Sequence, residues 1–277
     1  MAEKRYSFAI NSKVDRKLDR MDVTIVKWGL GITVDYWNLI RRLSRFWLIY
    51  WNETPGAVLK FRDHRIEMTP GKLVLIPPYT LVSAETRAPF VHNFVEFEAA
   101  PPFNQVKSKP LELPAAEFAP ILPPETDRIH LSLALYILAE RLLMEVPQEN
   151  LSSSGRNLFE PRIQTVLKYM DHHPSTKYSI AELAGQVSLS ESRLLHLFKK
   201  ETGITPRDYW LKQRMELVLR LLDNTDMTIP EIAEETGFTD RSHLSRIFKE
   251  TFGQTPAAIR KKIHAARKNE KERPDEN

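Results

Sequence analysis

The sequence predicts a multidomain α and β chain: an N-terminal antiparallel β-barrel with a flanking helix, then an all-α module of two helix-turn-helix units. Three observations predict it. A helix–turn–helix pattern near the C-terminus occurs twice, 50 residues apart. From Val23 to about Glu98 the apolar pattern has a period nearer two than 3.6. Between these stretches lie a proline-rich connector and a leucine-rich helical segment.

The better copy of the repeat runs from Thr228 to Arg260. Thr228-Ile-Pro-Glu231 is a capping box, in which Thr228 accepts from a first-turn N–H while Glu231 reaches back. Ile229, Ile232 and Ala233 give the first helix its apolar face, and Gly237 supplies a permissive backbone for the turn. Phe238 is placed to plug the angle between the helices. Thr239 or Asp240 caps the second helix, which buries Leu244, Ile247 and Phe248 and carries Arg241, Ser242, Ser245, Arg246 and Lys249 on its other face. Gly253 ends it, and Thr255-Pro256 opens the next helix with a cap and a first-turn proline.

In the earlier copy, Ser192, Leu194, Phe198, Lys199, Gly203, Thr205 and Pro206 stand 50 residues before Ser242, Leu244, Phe248, Lys249, Gly253, Thr255 and Pro256. Ser179-Ile-Ala-Glu182 is the matching capping box, and Ser188 stands near the place that Gly237 occupies. Pro206 to about Leu222 forms a long connecting helix whose rod of roughly 25 Å would set two recognition helices on successive major-groove faces, ~34 Å apart. A polar, basic helix after a tight turn is the form that enters a DNA major groove.

These residues carry a resemblance. Ile229, Ile232, Ala233, Gly237 and Phe238, then Ser242, Leu244, Ser245, Arg246, Phe248 and Lys249, then Gly253, Thr255 and Pro256, resemble the DNA-binding module of the AraC/XylS transcription regulators. That family usually has alanine four residues after the arginine of the connecting helix, whereas here Arg214 is followed by Val218.

At 277 residues the chain has room for two cores. Net charge is +4, and residues 161–277 carry 20 basic against 17 acidic side chains, so a DNA partner must be argued from where charges sit on helices. The absence of cysteine excludes disulfides, thiolate zinc sites and a cysteine nucleophile. The first residues lack an apolar leader, and no run approaches the ~18 apolar residues of a membrane span, so a cytoplasmic location is the expectation.

In the first half, candidate strands are Val23–Trp28, Phe46–Trp51, Ala57–Arg62, Lys72–Ile76 and His92–Phe97, separated by Pro- and Gly-containing turns. Met68 to Pro78 (MTPGKLVLIPP) resembles a strand and turn of the cupin-like sensing domain that often precedes the AraC-type module. Seven prolines between 101 and 124 predict an extended connector over the barrel. Arg128 to Met144 predicts a helix whose wide apolar stripe packs on the barrel or, as the resemblance implies, on a second copy in a homodimer. The expected units are a sensing and dimerisation domain over 1–147 (barrel about 20–100, connector 101–124, helix 127–146), a linker over 148–160, the DNA-binding domain over 161–264 and a charged tail over 265–277.

Positions i, i+3 and i+4 share a helix face. In the first unit that face holds Ser192, Leu195 and His196, and in the second Ser242, Ser245 and Arg246; the family's base-contacting positions fall on these places. Arg246 is the strongest reader, because a guanidinium grips guanine O6 and N7 together. Leu195 either touches a thymine methyl or belongs to the core. Arg193, Lys199, Arg241, His243 and Lys249 read as phosphate contacts. In the barrel, aromatic residues are abundant, Tyr36 and Trp37 among them, and Trp47, Trp51, His92 and Glu96 are the effector candidates. Most such aromatics are core, however, and no metal site is expected, because the histidine pair of enzymatic cupins is absent.

The expected function is sequence-specific transcription regulation, with double-stranded promoter or operator DNA as partner, and no enzymatic activity. The resemblance implies a small-molecule effector, with a sugar as the candidate class, and an activator that would engage RNA polymerase. Two alternatives stand beside it: a cupin-type metal-dependent sugar enzyme with a helical appendix, and a stack of helical hairpins that binds protein. The enzyme lacks its ligand histidines, and two repeats are fewer than the three or more such stacks need.

Overall fold

The computed structural model describes residues 22–35, 39–104, 106, 109–122, 127–151 and 159–271. Residues 1–21, Tyr36, Trp37, most of the 148–160 linker and the last six residues lie outside the described residues.

Nine strands build the first half: β1 (Val23–Val34), β2 (Leu39–Leu43), β3 (Trp47–Asn52), β4 (Ala57–Lys60), β5 (Arg65–Met68), β6 (Lys72–Ile76), β7 (Leu81–Thr86), β8 (Phe90–Ala99) and β9 (Leu111–Pro114). All described pairings are antiparallel, as the alternation predicts, but the strands form two sheets rather than one closed barrel. One has the order β1-β8-β3-β6-β9 and the other β2-β7-β4-β5. The reason lies in the connections. The Thr69-Pro70-Gly71 turn carries the chain from β5, paired with β4, to β6, paired with β3, so it changes sheet without pairing the strands it joins. Likewise β1 pairs with β8 and β2 with β7. Part of the proline-rich connector is itself a strand: β9 pairs with β6 and extends the larger sheet.

Period-two geometry sorts the side chains of β3. Leu48 and Tyr50 point between the sheets, into a core with Leu59, Ile66, Met68, Val74, Ile76, Val82 and Phe90. Trp47, Ile49 and Trp51 point the other way, into a second core beneath helix α1 (Arg128–Leu143). Asp127 caps α1 by accepting from the N–H groups of Ile129 and His130. The inner face of α1 buries Leu135, Leu138, Leu142 and Leu143 on the sheet, while Ile129, Leu133, Ile137 and Met144 remain exposed.

The second half is helical: α2 (Pro161–His172), α3 (Ile180–Gln186), α4 (Glu191–Thr202), α5 (Pro206–Asn224), α6 (Ile229–Glu235), α7 (Arg241–Phe252) and α8 (Pro256–Lys271). Helix α8 therefore runs seven residues past the module end expected at 264. The two helix-turn-helix units have separate cores. Ile163, Val166, Leu167, Leu183, Leu194, Phe198 and Tyr209 fill the first, and Met215, Val218, Ile232, Phe238, Leu244 and Phe248 fill the second. Val218, where the family usually has alanine, is fully buried in the second core.

The halves touch. Leu43, Tyr79 and Leu81 of the β module pack into the core of the first helix-turn-helix unit.

Candidate nucleic-acid interface and interdomain cavity

Local chemistry sets both recognition helices. Each unit opens with a complete capping box: the Ser179 and Thr228 N–H groups donate to Glu182 and Glu231, both at 2.6 Å, and each hydroxyl accepts the N3 N–H in return. Between the helices the chain needs a left-handed residue, supplied by Gly237 at φ 71° in the second unit and by Ser188 at φ 53° in the first. Ser190 caps α4 and Asp240 caps α7. Both helices end in a left-handed glycine, Gly203 at φ 80° and Gly253 at φ 73°.

On α4, Leu194, Leu197 and Phe198 face the core, leaving Ser192, Arg193, Leu195, His196 and Lys199 exposed together. Leu195 is 41% exposed, which removes it from the core. On α7, Leu244 and Phe248 are buried, and Arg241, Ser242, Arg246 and Lys249 are exposed. Ser245 and His243 are half-buried; the His243 ring meets Phe238 edge-on at 5.4 Å, so it is held against the turn rather than extended towards solvent. Arg246 donates to Glu250 one turn on, at 3.1 Å, in an exposed pair that offers little resistance to a competing acceptor.

The effector candidates divide. His92 and Glu96 face a cavity of about 640 Å³ between the β module and the helices. Trp47 and Trp51 do not: the strand period turns them to the α1 side, where Trp47 is fully buried and its indole N–H donates to the Phe103 carbonyl at 2.9 Å. The cavity is walled by Ile32, Val34 and Phe94 of the β module, by Leu211, Met215 and Leu219 of α5, and by Ile247 and Phe252 of α7. A recognition helix thus forms part of its wall.

Arg42 is the polar centre of the cavity. It donates to Tyr50 Oη at 2.8 Å, to Glu96 Oε2 at 2.8 Å and, across the domain boundary, to Glu216 Oε1 of α5 at 3.2 Å. Burial alone would lower the Arg42 pKa, but Glu96, Tyr50 and Glu216 outweigh it and hold the guanidinium charged. Burial opposes the charge on Glu96 too, and Arg42 overcomes it, so its pKa lies below the ordinary value. His92 is desolvated, with its pKa pushed down to about 4, and pairs with Asn52 at 2.8 Å; at neutral pH it is uncharged. Nearby, Lys212 donates to the Arg41 carbonyl and Arg41 to that of Gly203. A second polar tie joins the halves at Asp171, which accepts from Tyr79 of the β module at 3.1 Å and from Tyr209 of α5.

Sequence reading missed Arg42, Glu216 and Asp171. None belongs to a motif, and their partners lie between 8 and 174 residues away. The one signal was the Arg41-Arg42 pair set among apolar residues. Among the described residues no cluster of three or more His, Cys, Asp or Glu side chains could hold a metal, and no helix is long and apolar enough to cross a membrane.

Two capped helix-turn-helix units on one rigid helix, behind a two-sheet module, define an AraC-type DNA-binding architecture. Comparisons agree. A helix-turn-helix family model matches residues 183–262. The Msm operon regulatory protein of Streptococcus mutans is 24% identical over 224 residues, covering 74% of this chain and 80% of that one. The arabinose operon regulatory protein of Escherichia coli is 33% identical over 128 residues, 45% of this chain and 44% of that relative, so the shared part is under half of its length. Unsaturated-fatty-acid-bound ToxT from Vibrio cholerae has the same fold across both halves, with a TM-score of 0.59 over 87% of this chain and 94% of that one, at 13% identity. Residues 183–262 therefore form an AraC-type helix-turn-helix DNA-binding domain, the module this chain shares with those transcription regulators.

Proposed function

We propose that the chain controls transcription in response to a small molecule held in the cavity between its halves, and that α4 and α7 both enter the major groove of operator DNA. Ser192, Leu195, His196, Ser242, Ser245 and Arg246 would read bases, while Arg193, Lys199, Arg241 and Lys249 would hold phosphates; His243 would do so from its place against Phe238. The observation that carries the reading is the cavity wall. One small molecule would touch β1 and β8 on one side and α5 and α7 on the other. An effector acts only by binding one arrangement better than another, and a ligand bridging both halves does so directly.

A sugar suits the polar end, where Arg42, Tyr50, Glu96 and His92 offer fixed donors and acceptors. A second reading is an amphipathic carboxylic acid, favoured by the long aliphatic walls and by Lys27, Arg41 and Lys212 at their edge. The fatty acid bound to ToxT belongs to that protein and lends this reading only the precedent of a shared fold. We further propose a homodimer through the exposed Ile129, Leu133 and Ile137 stripe of α1 and Met144 at its end, and activation through RNA polymerase.

Selection of random duplexes by the purified protein, with and without panels of sugars and medium-chain acids, tests the function. An enriched pair of boxes whose recovery changes with one panel is the expected result, and no enrichment under any condition would refute DNA reading. Sedimentation of Leu133→Asp against the parent tests the dimer; unchanged mass would refute it.

A further inference from the structure

The two helix-turn-helix units have separate hydrophobic cores joined by α5, which lends Tyr209 to the first and Met215, Val218 and Leu222 to the second. Beside this shared helix, a buried junction fixes how the turn of the second unit sits against the first. On its first-unit side, the Trp210 indole N–H donates to the carbonyl of Pro174, in the loop between α2 and α3, at 3.1 Å. One turn along α5, Arg214 is only 4% exposed, with its guanidinium 4.4 Å from the Trp210 ring and 3.9 Å from the Phe238 ring. Its Nε donates at 2.6 Å to the carbonyl of Thr236, in the turn between α6 and α7. A Cβ on Gly237 would stand 2.8 Å from the Ser175 carbonyl, so the turn of the second unit also lies directly against the loop of the first.

Trp210 packs with the first core and Phe238 belongs to the second, while Arg214 belongs to neither. Its role is to join them. The guanidinium suits this place because it is flat enough to lie between two aromatic faces and still donate in its plane, which an ammonium cannot do.

We infer that Trp210 and Arg214 are positioning residues that set the separation and phase of α4 and α7, and hence the spacing of the two DNA boxes the protein accepts. This rests on the reading that both helices enter the groove. Inserting one base pair between boxes rotates one against the other by about 34°, since a turn of duplex holds about 10.5 base pairs. With a stiff junction, docking of the second helix is an intramolecular event at high effective concentration for one spacing alone. A loosened junction spreads that concentration over several spacings.

The test compares the parent with Arg214→Lys and Trp210→Phe on the selected two-box duplex, on duplexes with one base pair added or removed between boxes, and on duplexes with one box scrambled. Trp210→Phe keeps an aromatic face for Arg214 while removing the tie to Pro174, so it serves if the lysine variant does not fold. For the parent we expect a loss of about tenfold or more on respacing. For the variants we expect about tenfold weaker binding to the two-box duplex, a respacing penalty below about threefold and unchanged affinity for single boxes. A folded variant that keeps the parent's sharp spacing preference overturns the inference. So does a variant weakened equally on one box and two, since that marks a purely structural role. A parent indifferent to scrambling one box overturns the underlying two-helix reading instead.

Discussion

Removing Arg42 should damage the protein in a way that removing its partner repairs. The Arg42 side chain is 12% exposed and that of Glu96 is 9%, so Arg42→Met leaves a carboxylate buried at the mouth of the sheets with its cation gone. Loss of one partner of a buried pair costs about 3–5 kcal/mol, most of it the charge left behind. Arg42→Met with Glu96→Gln removes that charge, and the double variant should recover about half of the loss or more, a coupling above ~1.5 kcal/mol in a double-mutant cycle. Glu216 is different. Its side chain is 27% exposed and pairs at 3.2 Å, so Glu216→Gln should cost only about 1 kcal/mol and loosen the halves without unfolding either. Urea unfolding of the four proteins, followed by far-UV circular dichroism, measures the cycle. A cost below about 1 kcal/mol for Arg42→Met, or additivity with Glu96→Gln, would refute the buried cluster as drawn.

Three further outcomes are expected. Phe248→Ala opens a void in the fully buried second core and should cost roughly 3–5 kcal/mol; a barely altered melting temperature would place Phe248 outside the core. Arg246→Ala should cost about 1–3 kcal/mol on the selected duplex and relax preference at one base pair, whereas equal weakening on every sequence would make it a phosphate contact. Burial raises the Asp171 pKa to about 6, above its unfolded value, so its contribution is fully present below the unfolded pKa and is lost as pH rises through about 6. The parent should therefore gain stability as pH falls from about 7.5 to about 5, by roughly 1.4 kcal/mol from this group, and Asp171→Asn should remove that part of the gain. An identical pH profile for the two proteins would contradict this assignment.

The helix-turn-helix class and the exposed faces of α4 and α7 were legible in the sequence because every signal that builds a helix-turn-helix is local. A capping box spans four residues, a recognition face repeats at three and four, and a left-handed cap sits at a glycine; duplication showed each signal twice. Strand β6 was equally legible, since Lys72–Ile76 lies between two turn signals. Strands β2, β5 and β7 were not read, because charged or small polar residues break their apolar runs, and β9 was not, because it is set in a proline-rich stretch where only a ladder with β6 makes a strand. The sensor was hardest. One strand presents Trp47 and Trp51 on one face and Tyr50 on the other, and only the placement of α1 on the first and of the facing sheet on the second decides which is core and which is cavity.

What the sequence by itself determined is therefore the chemistry of each helix end, the exposed polar faces of α4 and α7 and the order of the β and helical halves. All of these follow from neighbours within about four residues, where backbone hydrogen bonding and helical periodicity act. The cavity, the Arg42 cluster that bridges its walls and the Arg214 junction were decided by tertiary structure alone. Arg42 and Glu216 are 174 residues apart in the chain, and Arg214 and Thr236 are 22 apart. A buried charge gains its meaning only from the partner that folding brings within hydrogen-bond reach, because desolvation penalises it everywhere else.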